Sequence, residues 1–222
     1  VDIVKPITKA AFMALDPESI PGMLEYLWAL STSGRPGPVW LDVPLDVQGK
    51  ELDFDPDKIS YFWNTDHPKF EVNYSFLHEA KRPVILAGNG IKLSGAEDTF
   101  RDTVNKLNIP VVSTFLGTDI LSGDDNNYIG RVGVKGDRAG NFALQTADLI
   151  LALGTSLSVP VTGYKYDFFG REANLVVVDI DEEEHKKETV KIDKFIKADV
   201  KEFLEGLVLE DYQTPDSWNE KC

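Results

Sequence analysis

Short continuous apolar runs alternate with helically spaced apolar residues from about position 82 onward. Arg82-Pro83-Val84-Ile85-Leu86-Ala87-Gly88 predicts a buried strand, and Phe100, Val104 and Leu107 predict a helix after it. Ile109-Pro110-Val111-Val112-Ser113-Thr114 is the next strand. Residues 141–146 then form a helix feeding Asp148-Leu149-Ile150-Leu151-Ala152-Leu153-Gly154. A fourth strand lies in 174–181, centred on Leu175-Val176-Val177-Val178; 191–198 gives a fifth, and 200–207 a closing helix. Strands that are apolar on both faces, alternating with helices, predict a parallel sheet covered on both sides. The expected fold is α/β: a Rossmann-like, nucleotide-binding-like domain.

A smaller set of apolar residues precedes it. Residues 7–15 read as a strand, and Asp16-Pro17-Glu18-Ser19 offers cap residues and a proline suited to an early helical turn. Met23, Leu24, Leu27, Trp28 and Leu30 recur at helical spacing and predict a buried helix face. Gly34 is placed to end that helix in a left-handed conformation. Pro38-Val39-Trp40-Leu41-Asp42-Val43-Pro44 is a short strand between prolines. This partial α/β unit would expose apolar faces if nothing else packed on it, so it is expected to be the end of a larger domain. Between the two regions Phe54, Tyr61, Phe62, Trp63 and Phe70 are scattered among aspartates and prolines. The expectation is a linker anchored by its aromatics on a domain surface. The polar stretch 210–222 reads as a second linker. Trp28, Trp40, Trp63 and Trp218 are expected to serve packing.

Charge and composition narrow the function. A net charge of −14 with no basic stripe excludes a phosphate-backbone or anionic-membrane partner. No apolar run reaches the ~18–20 residues that span a bilayer. The single cysteine, Cys222, excludes an intrachain disulfide framework. The start, Val1-Asp2-Ile3-Val4-Lys5, has no basic region leading into an apolar stretch, so a cytoplasmic location is expected. His67, His78 and His185 share no paired spacing and are expected at surfaces or interfaces; no residue is assigned a catalytic or metal-binding role.

Three loops carry candidate cofactor chemistry. Gly88-Asn89-Gly90 follows the first strand, where glycines let the backbone turn and approach a phosphate. Leu93 stands where a dinucleotide fingerprint has its third glycine, and the second strand ends Ser113-Thr114-Phe115 without a ribose-holding acid, which argues against ordinary NAD binding. A plain turn and a phosphate site both remain open. Gly133-Val134-Lys135-Gly136-Asp137-Arg138 sets two cations in a glycine-rich loop that either neutralises a diphosphate or is a mobile surface loop. Asp179-Ile180-Asp181-Glu182 ends the fourth strand, where a carboxylate can accept ribose hydroxyls. Capping is the competing role for Asp181. The candidate cofactor-binding positions are Gly88, Asn89, Gly90, Thr114, Gly133, Lys135, Gly154, Asp179 and Asp181.

The wording of 33–48, Ser33-Gly34-Arg35-Pro36-Gly37-Pro38-Val39-Trp40-Leu41-Asp42-Val43-Pro44-Leu45-Asp46-Val47-Gln48, resembles the close of the pyrimidine-binding domain of acetolactate-synthase-like, thiamine-diphosphate-dependent enzymes. Leu86-Ala87-Gly88-Asn89-Gly90, Ile129-Gly130-Arg131-Val132-Gly133-Val134-Lys135-Gly136 and Ala147-Asp148-Leu149-Ile150 resemble their central domain. The resemblance implies that 1–48 closes a pyrimidine-binding domain, 49–74 is an interdomain linker, 75–209 is the central domain, and 210–222 starts a linker toward a pyrophosphate domain. It also implies a homodimer or homotetramer acting on 2-keto acids through thiamine diphosphate and Mg²⁺. The activating glutamate and the Gly-Asp-Gly…Asn motif of that family have no counterpart in this chain, which is therefore expected to be inactive alone.

Flavin-containing members carry glycine–methionine–histidine–glycine where this chain has Gly133-Val134-Lys135-Gly136. They carry arginine–phenylalanine–aspartate–aspartate–arginine where it has Ser156-Leu157-Ser158-Val159-Pro160; Thr162-Gly163 survives. FAD is thereby disfavoured, leaving an ADP-like ligand or a ligand-free structural domain. A free-standing nucleotide- or flavin-binding module is the alternative from a different class.

Overall fold

A computed structural model of the chain describes residues 1–55, 72–207 and 212–222. The expectations for Tyr61, Phe62, Trp63, His67 and Phe70 lie outside the described residues. The chain divides into two compact units, Val1–Lys69 and Phe70–Cys222.

In the first unit, β1 (Ala10–Met13) and β2 (Val39–Asp42) pair in parallel and are joined by α1 (Ile20–Thr32); α2 (Leu45–Gln48) follows. The strand expected over 7–15 is shorter, because Lys5–Ile7 forms a 3-10 turn around Pro6. Asp16 accepts a hydrogen bond from the Glu18 amide ahead of α1, and Gly34 takes the left-handed conformation (φ 53°) beyond its end. Both local signals act as the residue types dictate. The buried helix face does not form within this unit: only Leu27 of α1 is buried, whereas Leu24 is 54% and Trp28 74% exposed. Trp40 is also exposed. The packing role expected for Trp28 and Trp40 is thus not met among the described residues of this unit, which form one two-stranded sheet.

The second unit contains α3 (Ser75–Glu79), β3 (Pro83–Ala87), α4 (Gly90–Leu93), α5 (Glu97–Leu107), β4 (Val111–Ser113), β5 (Tyr128–Arg131) and α6 (Arg138–Thr146). It continues with β6 (Leu149–Leu153), α7 (Val159–Thr162), β7 (Asn174–Asp179), β8 (Lys194–Lys197), α8 (Val200–Glu205) and α9 (Asp216–Asn219). Its sheet has six strands, all parallel, in the order β5-β4-β3-β6-β7-β8. The chain starts in the middle, runs to one edge, and returns to build the other half. The order therefore reverses between β3 and β6, the doubly wound arrangement of a Rossmann-like fold.

Period-2 alternation divides the core into two layers. Ile85, Ala87, Leu149, Leu151, Val176 and Val178 face one side with Phe100, Val104 and Leu107 of α5 and Phe203 of α8. Val84, Leu86, Ile150, Ala152, Leu175 and Val177 face the other with Ala143 and Leu144 of α6. Edge strand β5 was not among the expected strands. Its sequence Tyr-Ile-Gly-Arg breaks the apolar run, Gly130 has φ 140°, and the register with β4 shifts between Val111 and Val112.

Residues 212–222 pack within the second unit. Trp218 is buried, and its Nε1–H donates to the Pro83 carbonyl at 2.9 Å, at the start of β3. The Thr214 amide donates to Leu107 O, and Asn219 Nδ2 to Asn108 O. The packing role expected for Trp218 is met, at the N-terminal edge of the sheet. Among the described residues no helix is long and apolar enough to cross a membrane.

Candidate functional site

All nine candidate positions lie at or just beyond the C-terminal ends of the parallel strands, on the opposite edge from Trp218. Gly88, Asn89 and Gly90 leave β3, Thr114 leaves β4, and Gly133 and Lys135 leave β5. Gly154 leaves β6, and Asp179 and Asp181 close β7.

At the switch point Gly88, Gly90 and Gly154 are in mutual contact. The Gly90 amide donates to Gly154 O at 2.8 Å. A Cβ on Gly90 would lie 2.5 Å from Gly154 Cα, and one on Gly88 would lie 2.2 Å from Gly154 O. These glycines are required because two backbone segments touch, whichever ligand comes near. Sequence reasoning left a plain turn and a phosphate site both open here, and the close approach seen between these glycines is one of backbone to backbone. Gly154 also needs its left-handed conformation (φ 57°). Lys92, the cation nearest in sequence to this turn, binds Asp119 Oδ1 at 2.6 Å, and that hydrogen bond holds the Asp119 carboxyl below its ordinary pKa.

The loop after β5 is held by side-chain-to-backbone hydrogen bonds at several positions. Asn141 Oδ1 accepts the Gly133 amide at 2.9 Å, and Asn141 Nδ2 donates to Gly133 O at 3.1 Å. Asp137 accepts the Arg131 amide through Oδ2 and ion-pairs with its guanidinium through Oδ1 at 3.1 Å. Hydrogen bonding to Arg131 keeps the Asp137 carboxyl below the usual range. Gly133, at φ 101°, packs on Pro160, whose carbonyl accepts the Val134 amide at 2.9 Å. Lys135 is exposed, and Arg138 lies over the Phe142 ring, 6.0 Å from its centroid. Thr114 is buried, its amide donating to Ala87 O.

The segment after β6 is gripped from the other side too. Lys187 Nζ donates to the Ser156 carbonyl and ion-pairs with Glu184 at 2.6 Å. Leu157 is 1% exposed and adopts φ 47°, a conformation unfavourable for a bulky L-residue. Surrounding contacts must hold it there. The Ser156–Pro160 stretch thus turns its backbone to neighbouring loops and its one large side chain into the core.

The end of β7 is arranged differently. The Gly154 amide donates to Val178 O, so Asp179 lies directly beside the switch point. Asp179 Oδ1 accepts the Asp181 amide at 2.9 Å. Asp181 Oδ1 accepts the amides of Glu183 and Glu184, the capping role that competed with ligand binding for this residue. Sequence reasoning missed His185, expected at a surface or interface. Its side chain is 3% exposed, 3.5 Å from Asp179 Oδ2, and in tilted ring contact with Phe195 of β8. The Asp-to-His spacing of six was the only available signal, and the burial comes from a strand ten residues further on. His78 meets Tyr212 edge-on and takes no part in this edge.

Residues 74–207 match the family described as the thiamine pyrophosphate enzyme central domain, a span that runs from α3 to the end of α8. The chain is 34% identical, over 97% of its length, to the probable acetolactate synthase large subunit of Methanocaldococcus jannaschii, covering 38% of that protein. It is 34% identical over 93% of its length to the acetolactate synthase large subunit of Corynebacterium glutamicum, covering 34% of it. With the Lactococcus lactis acetolactate synthase large subunit the identity is 36% over 94% of the chain and 37% of the relative. The chain spans little more than a third of the length of these relatives.

Proposed function

The chain belongs to the thiamine pyrophosphate enzyme central-domain family, and from that footing we propose that it is the middle portion of a thiamine-diphosphate-dependent enzyme of the acetolactate-synthase type acting on 2-keto acids. The observation carrying this is the coincidence of the family's span with a complete doubly wound sheet. In such an enzyme the coenzyme supplies the carbon nucleophile that adds to the keto acid. The remaining domains of the enzyme would hold it with Mg²⁺, and a homodimer or homotetramer would bring them together. Residues 1–48 would close the pyrimidine-binding domain, 49–74 would link it to the central domain at 75–209, and 210–222 would lead toward the pyrophosphate domain.

Within this chain the C-terminal sheet edge would bind a ribose-bearing nucleotide such as ADP. Asp179 supports that reading: its carboxylate lies beside the switch point, where open α/β sheets take their ligands. Gly88, Asn89, Gly90, Thr114 and Gly154 would form the floor, with exposed Lys135 free to approach a phosphate. FAD fits these residues poorly. The Ser156–Pro160 stretch presents no charged side chain, and its Ser156 and Pro160 carbonyls are already engaged by Lys187 and Val134.

Thermal unfolding of the chain with ADP, FAD and NAD tests the reading. ADP should raise the transition by an amount growing as RT ln(1+[L]/Kd), with FAD and NAD weaker. Equal, negligible shifts with all three would favour a ligand-free structural domain. The same chain, given pyruvate, thiamine diphosphate and Mg²⁺, should form no acetolactate; turnover would contradict the assignment of the chemistry to other domains.

A further inference from the structure

His185 follows β7 on the short 3-10 turn Glu183–Lys186. Both its ring nitrogens are buried without a hydrogen-bond partner. Its ring meets Phe195 at a tilt of 41°, with centroids 5.3 Å apart. Nε2 is 3.5 Å from Asp179 Oδ2, inside ion-pair range but long for a hydrogen bond. An apolar side chain would fill this niche without orphaning two polar atoms, so the imidazole needs a reason beyond packing.

Among the described residues the neighbouring cations are directed elsewhere. Lys186 and Lys197 pair with Glu182, at 4.0 and 3.9 Å, and Lys187 binds Glu184 and the Ser156 carbonyl. A carboxylate has about four lone-pair directions. At Asp179 one takes the Asp181 amide and one faces His185. Two remain among the described residues, which is the acceptor count that a vicinal diol requires.

We propose that His185 is a positioning residue: it orients the Asp179 carboxylate so that its two remaining lone pairs accept the 2′- and 3′-hydroxyls of an adenosine nucleotide. The inference rests on the nucleotide reading above and adds to it the group recognised and the residue that sets the recognition. With the nucleotide bound, the Nε2–H tautomer would close the 3.5 Å separation and donate to Oδ2, while the Asp181 amide fixes Oδ1. His185 itself does not touch the nucleotide.

Titration calorimetry of the chain with ADP and with 2′,3′-dideoxy-ADP tests this. Wild type should prefer ADP by about tenfold or more, the worth of hydroxyls bonded to a charged acceptor. His185→Phe keeps an aromatic ring against Phe195 and removes the donor. It should bring the two affinities within about twofold by weakening ADP alone, a change that loss of packing would not produce. Asp179→Asn should do the same, and His185→Gln, which restores an N–H donor, should recover part of the preference. If His185→Phe does not fold, His185→Leu replaces it with the same two outcomes. A folded variant that keeps the wild-type ADP preference overturns the role of His185. Failure of wild type to bind ADP overturns the nucleotide reading itself, and with it this proposal.

Discussion

The two units of the chain use similar apolar sequences with opposite results. In Phe70–Cys222, strands Pro83–Ala87 and Leu149–Leu153 are buried at every residue, because helices close over both faces of a six-stranded sheet. In Val1–Lys69, the described buried hydrophobics are Ala14, Leu27 and Val47, while Leu15, Leu24, Trp28 and Leu45 are each more than half exposed. A two-stranded sheet is marginal by itself. Apolar spacing identifies which face of an element needs cover; whether cover exists depends on how many further elements the unit holds.

This contrast can be broken or sharpened by substitution. The largest effect is expected in the second unit. Phe100 is 0% exposed, and Phe100→Ala should cost about 3–5 kcal/mol in urea unfolding followed by far-UV circular dichroism. A loss below about 1 kcal/mol would mean that this core is looser than its geometry.

The docked 212–222 segment allows a kinetic version. Burial raises the Cys222 thiol to about 11 from an ordinary 9.0. Its reaction with a disulfide reagent at pH 8 should therefore be about 100-fold slower than in urea, on thiolate fraction alone. Trp218→Ala, which removes the hydrogen bond to Pro83, should accelerate the folded-state reaction; an unchanged rate would detach the segment from the second unit.

Next in size are the glycines of the switch point. Gly90→Ala would drive a Cβ into Gly154 Cα and should destabilise by about 1–3 kcal/mol. Gly123, with nothing within 4 Å of an added Cβ, should tolerate alanine within about 0.5 kcal/mol. Equal costs would remove the argument that backbone contact selects glycine at this edge.

A smaller effect should appear in acid. The folded Asp137 carboxyl titrates below its ordinary 3.8, so its stabilising contribution is complete above that value and lost as pH falls through the depressed one. Asp137→Asn should be slightly less stable than wild type at pH 7 and converge with it as pH falls below the depressed folded-state pKa. Because the Arg131 pair is largely solvated, the difference should shrink in salt. The smallest effect is expected back in the first unit. Trp28→Ala should shift stability by no more than about 0.5 kcal/mol despite removing the largest side-chain type.

Much of the second unit was legible because its strands are apolar on both faces and its helix α5 carries Phe100, Val104 and Leu107 on one stripe. Edge strand β5 escaped because Gly130 and Arg131 interrupt its apolar character. The candidate loops were legible as turns at strand ends, since glycine and aspartate are informative there. The reason for the glycines was not: Gly90 and Gly154 are 64 residues apart in sequence, and their contact exists only once β3 and β6 are neighbours. His185 was illegible for the same kind of reason, its burial depending on Phe195 of the next strand. Docking of 212–222 rests on Trp218 reaching Pro83, another contact that no local pattern encodes.

Titrating the ¹⁵N-labelled chain with ADP while following amide chemical shifts addresses the central claim most directly. Saturable shifts should cluster at Gly88–Gly90, Gly154 and Asp179–Asp181, leaving Thr214, Trp218 and Cys222 at the opposite edge unmoved. An absence of shifts at millimolar ADP, or shifts centred on Trp218, would contradict a nucleotide site at the C-terminal ends of the strands.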